Sequence, residues 1–122
     1  MRSPTAFARL VILLGVCANT ASAVERDEPA LETRFDELVR PFLKQNCLAC
    51  HGPEKPKGKL DLSVYTSVAS IVKEYRVWRL VRERLEADEM PPAEASRGPT
   101  PDERHALVEW VGALLEIGRA HV

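Results

Sequence analysis

Cys47-Leu48-Ala49-Cys50-His51 is the stretch from which the rest of the chain is best read. Two thiols at this spacing can each add across a vinyl group of a haem, and the histidine that follows is placed to coordinate the iron from the proximal side. Three other chemistries use the same letters. A redox-active dithiol also uses C-x-x-C, but normally beside a βαβ pattern that this chain lacks. A zinc site would take Cys47, Cys50, His51 and His105, yet a second C-x-x-C or an H-x-x-x-H half is missing. A structural disulfide is the plainest alternative in an exported chain.

Haem iron held by one histidine commonly takes a second axial ligand. Met90 is the only methionine besides the initiator, and it stands in Asp88-Glu89-Met90-Pro91-Pro92, where the prolines restrict the backbone. A thioether is a weak, soft donor, so a stiff loop helps to keep it on a metal. The expected ligand pair is His51 and Met90. The competing assignments are His105, an open or water-bound position, the remote His121, or a Met90 that merely fills a gap in the core.

Upstream, residues 1–23 read as a secretory signal peptide. Arg2 and Arg9 give a positive start, Leu10 to Ala18 is an apolar run of nine residues, and Ala21-Ser22-Ala23 supplies the small-x-small cleavage pattern. Nine apolar residues fall short of the roughly 20 that span a bilayer, so no permanent membrane span is expected. Cys17 invites a lipoprotein reading, but Leu14-Gly15-Val16 before it is a poor match. Cleavage places Cys47 and Cys50 outside the cytoplasm, in the periplasm or cell envelope.

The 122 residues leave room for a single domain, 45% of them hydrophobic and 29% charged, which is neither disordered nor fibrous. The 17 Lys and Arg residues against 18 Asp and Glu lack the basic excess of a nucleic-acid binder. After cleavage at Ala23 the basic count falls to 15, and 99 residues remain. A core of that size is marginal on its own, and a bulky buried cofactor would help it.

Apolar residues recur at helical spacing. Phe35, Leu38, Val39, Phe42 and Leu43 form one stripe, with Pro41 inside it either kinking the helix or opening its second half. Val68, Ile71, Val72, Tyr75, Trp78, Val81 and Leu85 form a second stripe, with a break allowed near Arg76. Thr100-Pro101-Asp102-Glu103 combines an N-cap, a first-turn proline and a capping-box glutamate, and Leu107, Trp110, Val111, Leu114 and Leu115 follow on one face. Strand signals are confined to the brief alternation at Leu60-Asp61-Leu62. The expected fold is all-α, three to four helices around a covalently bound haem.

In this order the pieces resemble the planctomycete-type cytochrome c domain of the cytochrome c superfamily. The resemblance rests on Val39-Arg-Pro-Phe-Leu43, Asn46-Cys-Leu-Ala-Cys-His-Gly52, Lys55-Pro-Lys-Gly-Lys-Leu-Asp-Leu62, Val77-Trp78, Glu89-Met-Pro-Pro92 and Leu107-Val-Glu-Trp-Val111. It implies one haem c attached through Cys47 and Cys50, His51 and Met90 as axial ligands, and one-electron transfer rather than catalysis. It also implies that first and last helices cross, which points to Phe35 or Leu38 against Trp110 or Leu114. Such domains commonly open larger exported proteins, so downstream domains of the same full-length chain join an unidentified redox protein as expected partners.

The haem domain is accordingly placed at residues 24–116. The ending Glu116-Ile-Gly-Arg-Ala-His-Val122 resembles the translation of a sequencing-adapter read, so residues 117–122 are expected to be non-native. The alternative is a genuine helix end with Gly118 as a left-handed cap. Phe35, Leu38, Phe42, Trp78, Trp110 and Leu114 are candidates to pack on the haem or to form the general core. Lys44, Lys55, Lys57 and Lys59 surround the motif and would suit an acidic partner, or else are a solvated loop. Arg79, Arg82 and Arg84 with Glu83, Glu86, Asp88 and Glu89 read as an i, i+4 charged face. No Ser/His/Asp set or phosphate loop is present. Two other functional classes stay open: a haem enzyme module with an open iron site, peroxidase-like or feeding a downstream catalytic domain, and a non-redox binding module stapled by zinc or a disulfide.

Overall fold

The computed structural model describes residues 24–54 and 56–120. The expected signal peptide with Cys17, and also Lys55 and His121, lie outside the described residues. Among those described, the regular structure is helical: α1 is Val24–Arg34, α2 Arg40–Asn46, α3 Val68–Lys73, α4 Tyr75–Glu86 and α5 Pro101–Ala120.

A π-helical turn, Phe35–Val39, joins α1 to α2, and the Arg40 N–H bonds to the Phe35 carbonyl five residues back. Pro41 supplies the reason. It has no N–H to give to the preceding turn, and its ring crowds the carbonyl four residues earlier. The widened turn absorbs that conflict, and Pro41 then sits in the first turn of α2, where its missing donor costs nothing. Of the two behaviours allowed for it, Pro41 therefore opens a second half-helix. The stripe survives the extra residue: Phe35, Val39, Phe42 and Leu43 are buried and Leu38 is half-buried, with Leu31 of α1 joining them.

The second stripe is also divided, at Glu74, two residues ahead of Arg76, near which the sequence allows a break. Glu74 has φ −111° and ψ 40°, and its carbonyl accepts from both Val77 and Trp78. Ser67 and Ser70 cap the start of α3 reciprocally, each side chain bonded to the other's backbone N–H at 3.2 Å. On α4 the indole of Trp78 is fully buried and meets Tyr65 edge-on, with ring centres 5.3 Å apart.

Helix α5 starts as its sequence demands. The Glu103 carboxylate accepts from the Thr100 N–H at 2.8 Å, and the Thr100 hydroxyl accepts from the Glu103 N–H at 3.2 Å. Its apolar face, Leu107, Val108, Trp110, Val111, Leu114 and Leu115, is buried. Trp110 crosses the N-terminal segment, with its ring 6.1 Å from that of Phe35 and its indole N–H donating to the Leu31 carbonyl at 3.4 Å. The expected crossing is thus made by Phe35 and Trp110. Each fully buried aliphatic or phenyl side chain of this core contributes roughly 1.5–3 kcal/mol. Helix α5 continues through Gly118, which is not in a left-handed conformation, and Arg119 pairs with Glu116 at 3.2 Å.

Candidate functional site

Asn46 ends α2, and the chain turns tightly through the cysteines. The Cys47 and Leu48 N–H groups donate to the Leu43 carbonyl at 2.9 and 3.0 Å, and the Cys50 and His51 N–H groups donate to the Cys47 carbonyl at 3.1 and 2.8 Å. These bonds satisfy the helix end and fix the spacing of the two thiols. Gly52 closes the turn against Leu48 so closely that a Cβ there would lie 2.5 Å from the Leu48 carbonyl oxygen. A second clamp follows: the Leu62 N–H donates to the His51 carbonyl at 2.7 Å, and the Lys57 N–H to that of Cys50 at 2.8 Å.

The His51 ring is held as well. Its Nδ1 lies 3.2 Å from the Leu60 carbonyl oxygen. A carbonyl can only accept, so Nδ1 carries the proton and Nε2 keeps the lone pair.

Cys47, Cys50, His51 and Met90 line one cleft of about 220 Å³. Leu43, Leu80, Val81, Leu85, Leu107 and Pro91 give it an apolar wall. The cleft thus gathers the residues singled out from the sequence. Of the two places open to Phe35, Leu38, Phe42, Trp78, Trp110 and Leu114, the haem surface or the general core, the structure shows the second: none of them lines the cleft. They pack within or against the hydrophobic core instead.

Both cysteines are free thiols, half-buried. Burial pushes the Cys47 thiol up to about 11. It is therefore neutral at physiological pH, the opposite of the depressed thiol on which a dithiol redox catalyst depends. Among the described residues no three His, Cys, Asp or Glu side chains converge to hold a metal ion. His105 is exposed and lines a separate depression, beside Asp88 and Glu109. Lys44, Lys57 and Lys59 are exposed, and none of them lines the cleft.

The donor chemistry and the surface around it fit a haem c. Two thiols, an imidazole with a fixed free nitrogen and a thioether share one apolar cleft. Leu80 and Met90, 52% and 40% exposed, leave unusually open apolar surface along its lining, which a flat apolar cofactor seated there would cover.

The Met90 loop is tied to two helices. The Glu89 and Met90 N–H groups both point to the Arg84 carbonyl, at 3.0 and 3.3 Å, and the Arg84 side chain pairs with Glu89. From α5, Arg104 donates to the Met90 carbonyl at 2.7 Å and to that of Leu85 at 3.1 Å, and its second nitrogen meets Asp88 at 2.9 Å. Sequence reasoning missed Arg104 altogether. Two of its three partners are backbone carbonyls, which leave no signature in residue identity. The charged face on α4 is only half as expected. Arg79–Glu83 and Arg82–Glu86 are i, i+4 pairs at 3.6 and 2.9 Å, whereas Asp88 and Glu89 belong to the loop's moorings.

No helix among the described residues is long and apolar enough to cross a membrane. No curated protein and no solved structure matches the chain. Residues 47–94 match the family model for planctomycete cytochrome C. The match opens on Cys47 and takes in His51, the moored loop and Met90, set here within an all-helical frame. Over these residues the chain is similar to the planctomycete-type cytochrome c domain.

Proposed function

We propose that this domain is an exported one-electron carrier, with a single haem c attached through Cys47 and Cys50 and ligated by His51 and Met90. The observation that carries the reading is the meeting of these four side chains in one apolar cleft, although Met90 comes from a different loop. The cofactor, when bound, supplies an iron that alternates between ferric and ferrous states.

Each residue then has a defined task. Cys47 and Cys50 would hold the haem through two thioethers, each S–H adding across a vinyl group, sulfur to one carbon and hydrogen to the other, with no net oxidation. His51 offers the Nε2 lone pair, oriented by the bond from its Nδ1–H to Leu60. Met90 offers a soft thioether, which favours the ferrous form relative to a second histidine. Leu43, Val81, Leu85 and Leu107 keep water from the cleft and disfavour the additional ferric charge.

Export places attachment and electron exchange in the periplasm or cell envelope, with an unidentified redox protein as the partner. The test is to export the chain in a host with cytochrome c maturation machinery, denature the product and extract it with acidified organic solvent. A pyridine haemochrome spectrum is then recorded on the protein that remains. Haem should stay with the chain and be lost when Cys47 and Cys50 are both replaced by Ala. Haem that extracts freely from the unaltered chain rules out covalent attachment.

A further inference from the structure

We propose that Arg104 is a positioning residue that locks the Met90 loop in place at the cleft where a haem would be held, a role that rests on Met90 being an iron ligand. The Arg104 side chain is only 21% exposed, and its guanidinium reaches three points on a single short stretch. It donates to the Leu85 carbonyl at the end of α4, to the Met90 carbonyl, and to the Asp88 carboxylate between them. A planar fork suits this arrangement, because it can serve two carbonyls and a carboxylate without rearranging.

Position matters as much as bonding. Met90 is held from both sides of its own peptide units: its N–H points to the Arg84 carbonyl on α4 and its carbonyl accepts from Arg104 on α5. Leu107, one turn further along α5, lines the cleft itself. One rigid helix therefore sets both part of the cleft wall and the backbone of the residue facing into it. The side chain of Met90 is 40% exposed and has little packing to hold it, so the restraint falls on the backbone. A thioether binds ferric iron weakly, and a loop that swings freely would yield its place to any stronger nitrogen donor.

Asp88 separates this role from simple ion pairing. Its side chain is 81% exposed, so its attraction for Arg104 is screened by water. The two carbonyl bonds carry the restraint, and neutralising Asp88 leaves them in place.

The experiment is imidazole binding to the ferric holoprotein, full chain, followed by the Soret shift and by loss of the thioether-to-iron charge-transfer band. Wild type is compared with R104M, R104K, D88N and M90A, with circular dichroism to establish that each is folded. R104M should bind imidazole about tenfold or more tightly than wild type, since two charge-assisted bonds are lost. R104K should fall between the two, and D88N should stay within about twofold of wild type. Imidazole affinity in R104M equal to wild type, with M90A much tighter, overturns the role of Arg104 and leaves Met90 as ligand. Imidazole affinity in M90A equal to wild type overturns Met90 as ligand, and the role of Arg104 with it. If R104M does not fold, R104Q, shorter and uncharged, loses the charge assistance of both carbonyl bonds and should still bind imidazole about threefold more tightly. R104Q at wild-type affinity overturns the proposal.

Discussion

The Nδ1 of His51 and the carbonyl oxygen of Leu60 are 3.2 Å apart, and the Leu62 N–H donates to the carbonyl of His51 itself at 2.7 Å. One extended stretch, Leu60 to Leu62, therefore grips both the ring and the backbone of the histidine. The ring contact fixes the tautomer and makes Nε2 a better donor. In the ferrous holoprotein labelled with ¹⁵N-histidine, the Nδ1–H of His51 should give a resolved proton signal protected from exchange. An Nδ1–H that exchanges as fast as those of exposed imidazoles would show that Leu60 does not hold it.

Gly52 follows this histidine because nothing larger fits. A Cβ 2.5 Å from the Leu48 carbonyl oxygen would press on backbone, which cannot rotate aside as a side chain can. That carbonyl lies between the two cysteines, so the displacement would pass directly into their spacing. Gly52→Ala should destabilise the domain by about 1–3 kcal/mol and lower the yield of haem-loaded protein. Denaturant unfolding of the purified holoprotein and haem content per chain measure the two effects.

The parts of this architecture that were legible in the sequence are those decided within one or two turns. Thr100, Pro101 and Glu103 announce the start of α5, and Pro41 announces a disturbance between α1 and α2. The break in the second stripe was legible to within two residues: the sequence allows it near Arg76, and the structure places it at Glu74. Just beyond it Trp78 packs against Tyr65, a partner far outside the local window. A helical period states that one face is buried but not what buries it. Phe42 and Leu43 illustrate the limit: neighbours in one stripe, both buried, yet only Leu43 lines the cleft. Arg104 marks a deeper limit, since a side chain that bonds to main-chain carbonyls leaves no pattern in its partners.

Phe35 is where the N-terminal segment meets α5. Its side chain is 1% exposed, its ring is 6.1 Å from that of Trp110, and Arg40 lies over it with the guanidinium carbon 5.1 Å from the ring centre. Phe35→Ala empties a site that the π-helical turn leaves little freedom to refill. A loss of about 3–5 kcal/mol is expected, a large share of the stability of so small a domain. Thermal and denaturant unfolding of the holoprotein check it, and a loss under about 1 kcal/mol would mean that the two segments collapse to close the gap.

Met90 should behave in the opposite way, with a small effect on stability and a large one on the iron. Its side chain stands 40% exposed, so removing it forfeits little packing, and Met90→Ala should cost about 1 kcal/mol or less. At the metal the same change removes a soft donor from a fixed place. The thioether-to-iron charge-transfer band should vanish, and imidazole should enter the vacated position. With water or imidazole as the new ligand, the reduction potential should fall, because a harder donor no longer favours the ferrous form. His105→Ala is the matching control. That imidazole is exposed and belongs to a different depression, so its removal should leave the spectrum and the potential unchanged. A spectrum that instead responds to His105→Ala and ignores Met90→Ala would transfer the sixth position to the histidine. The loop moored by Arg84 and Arg104 would then be a wall of the cleft and not the source of a ligand.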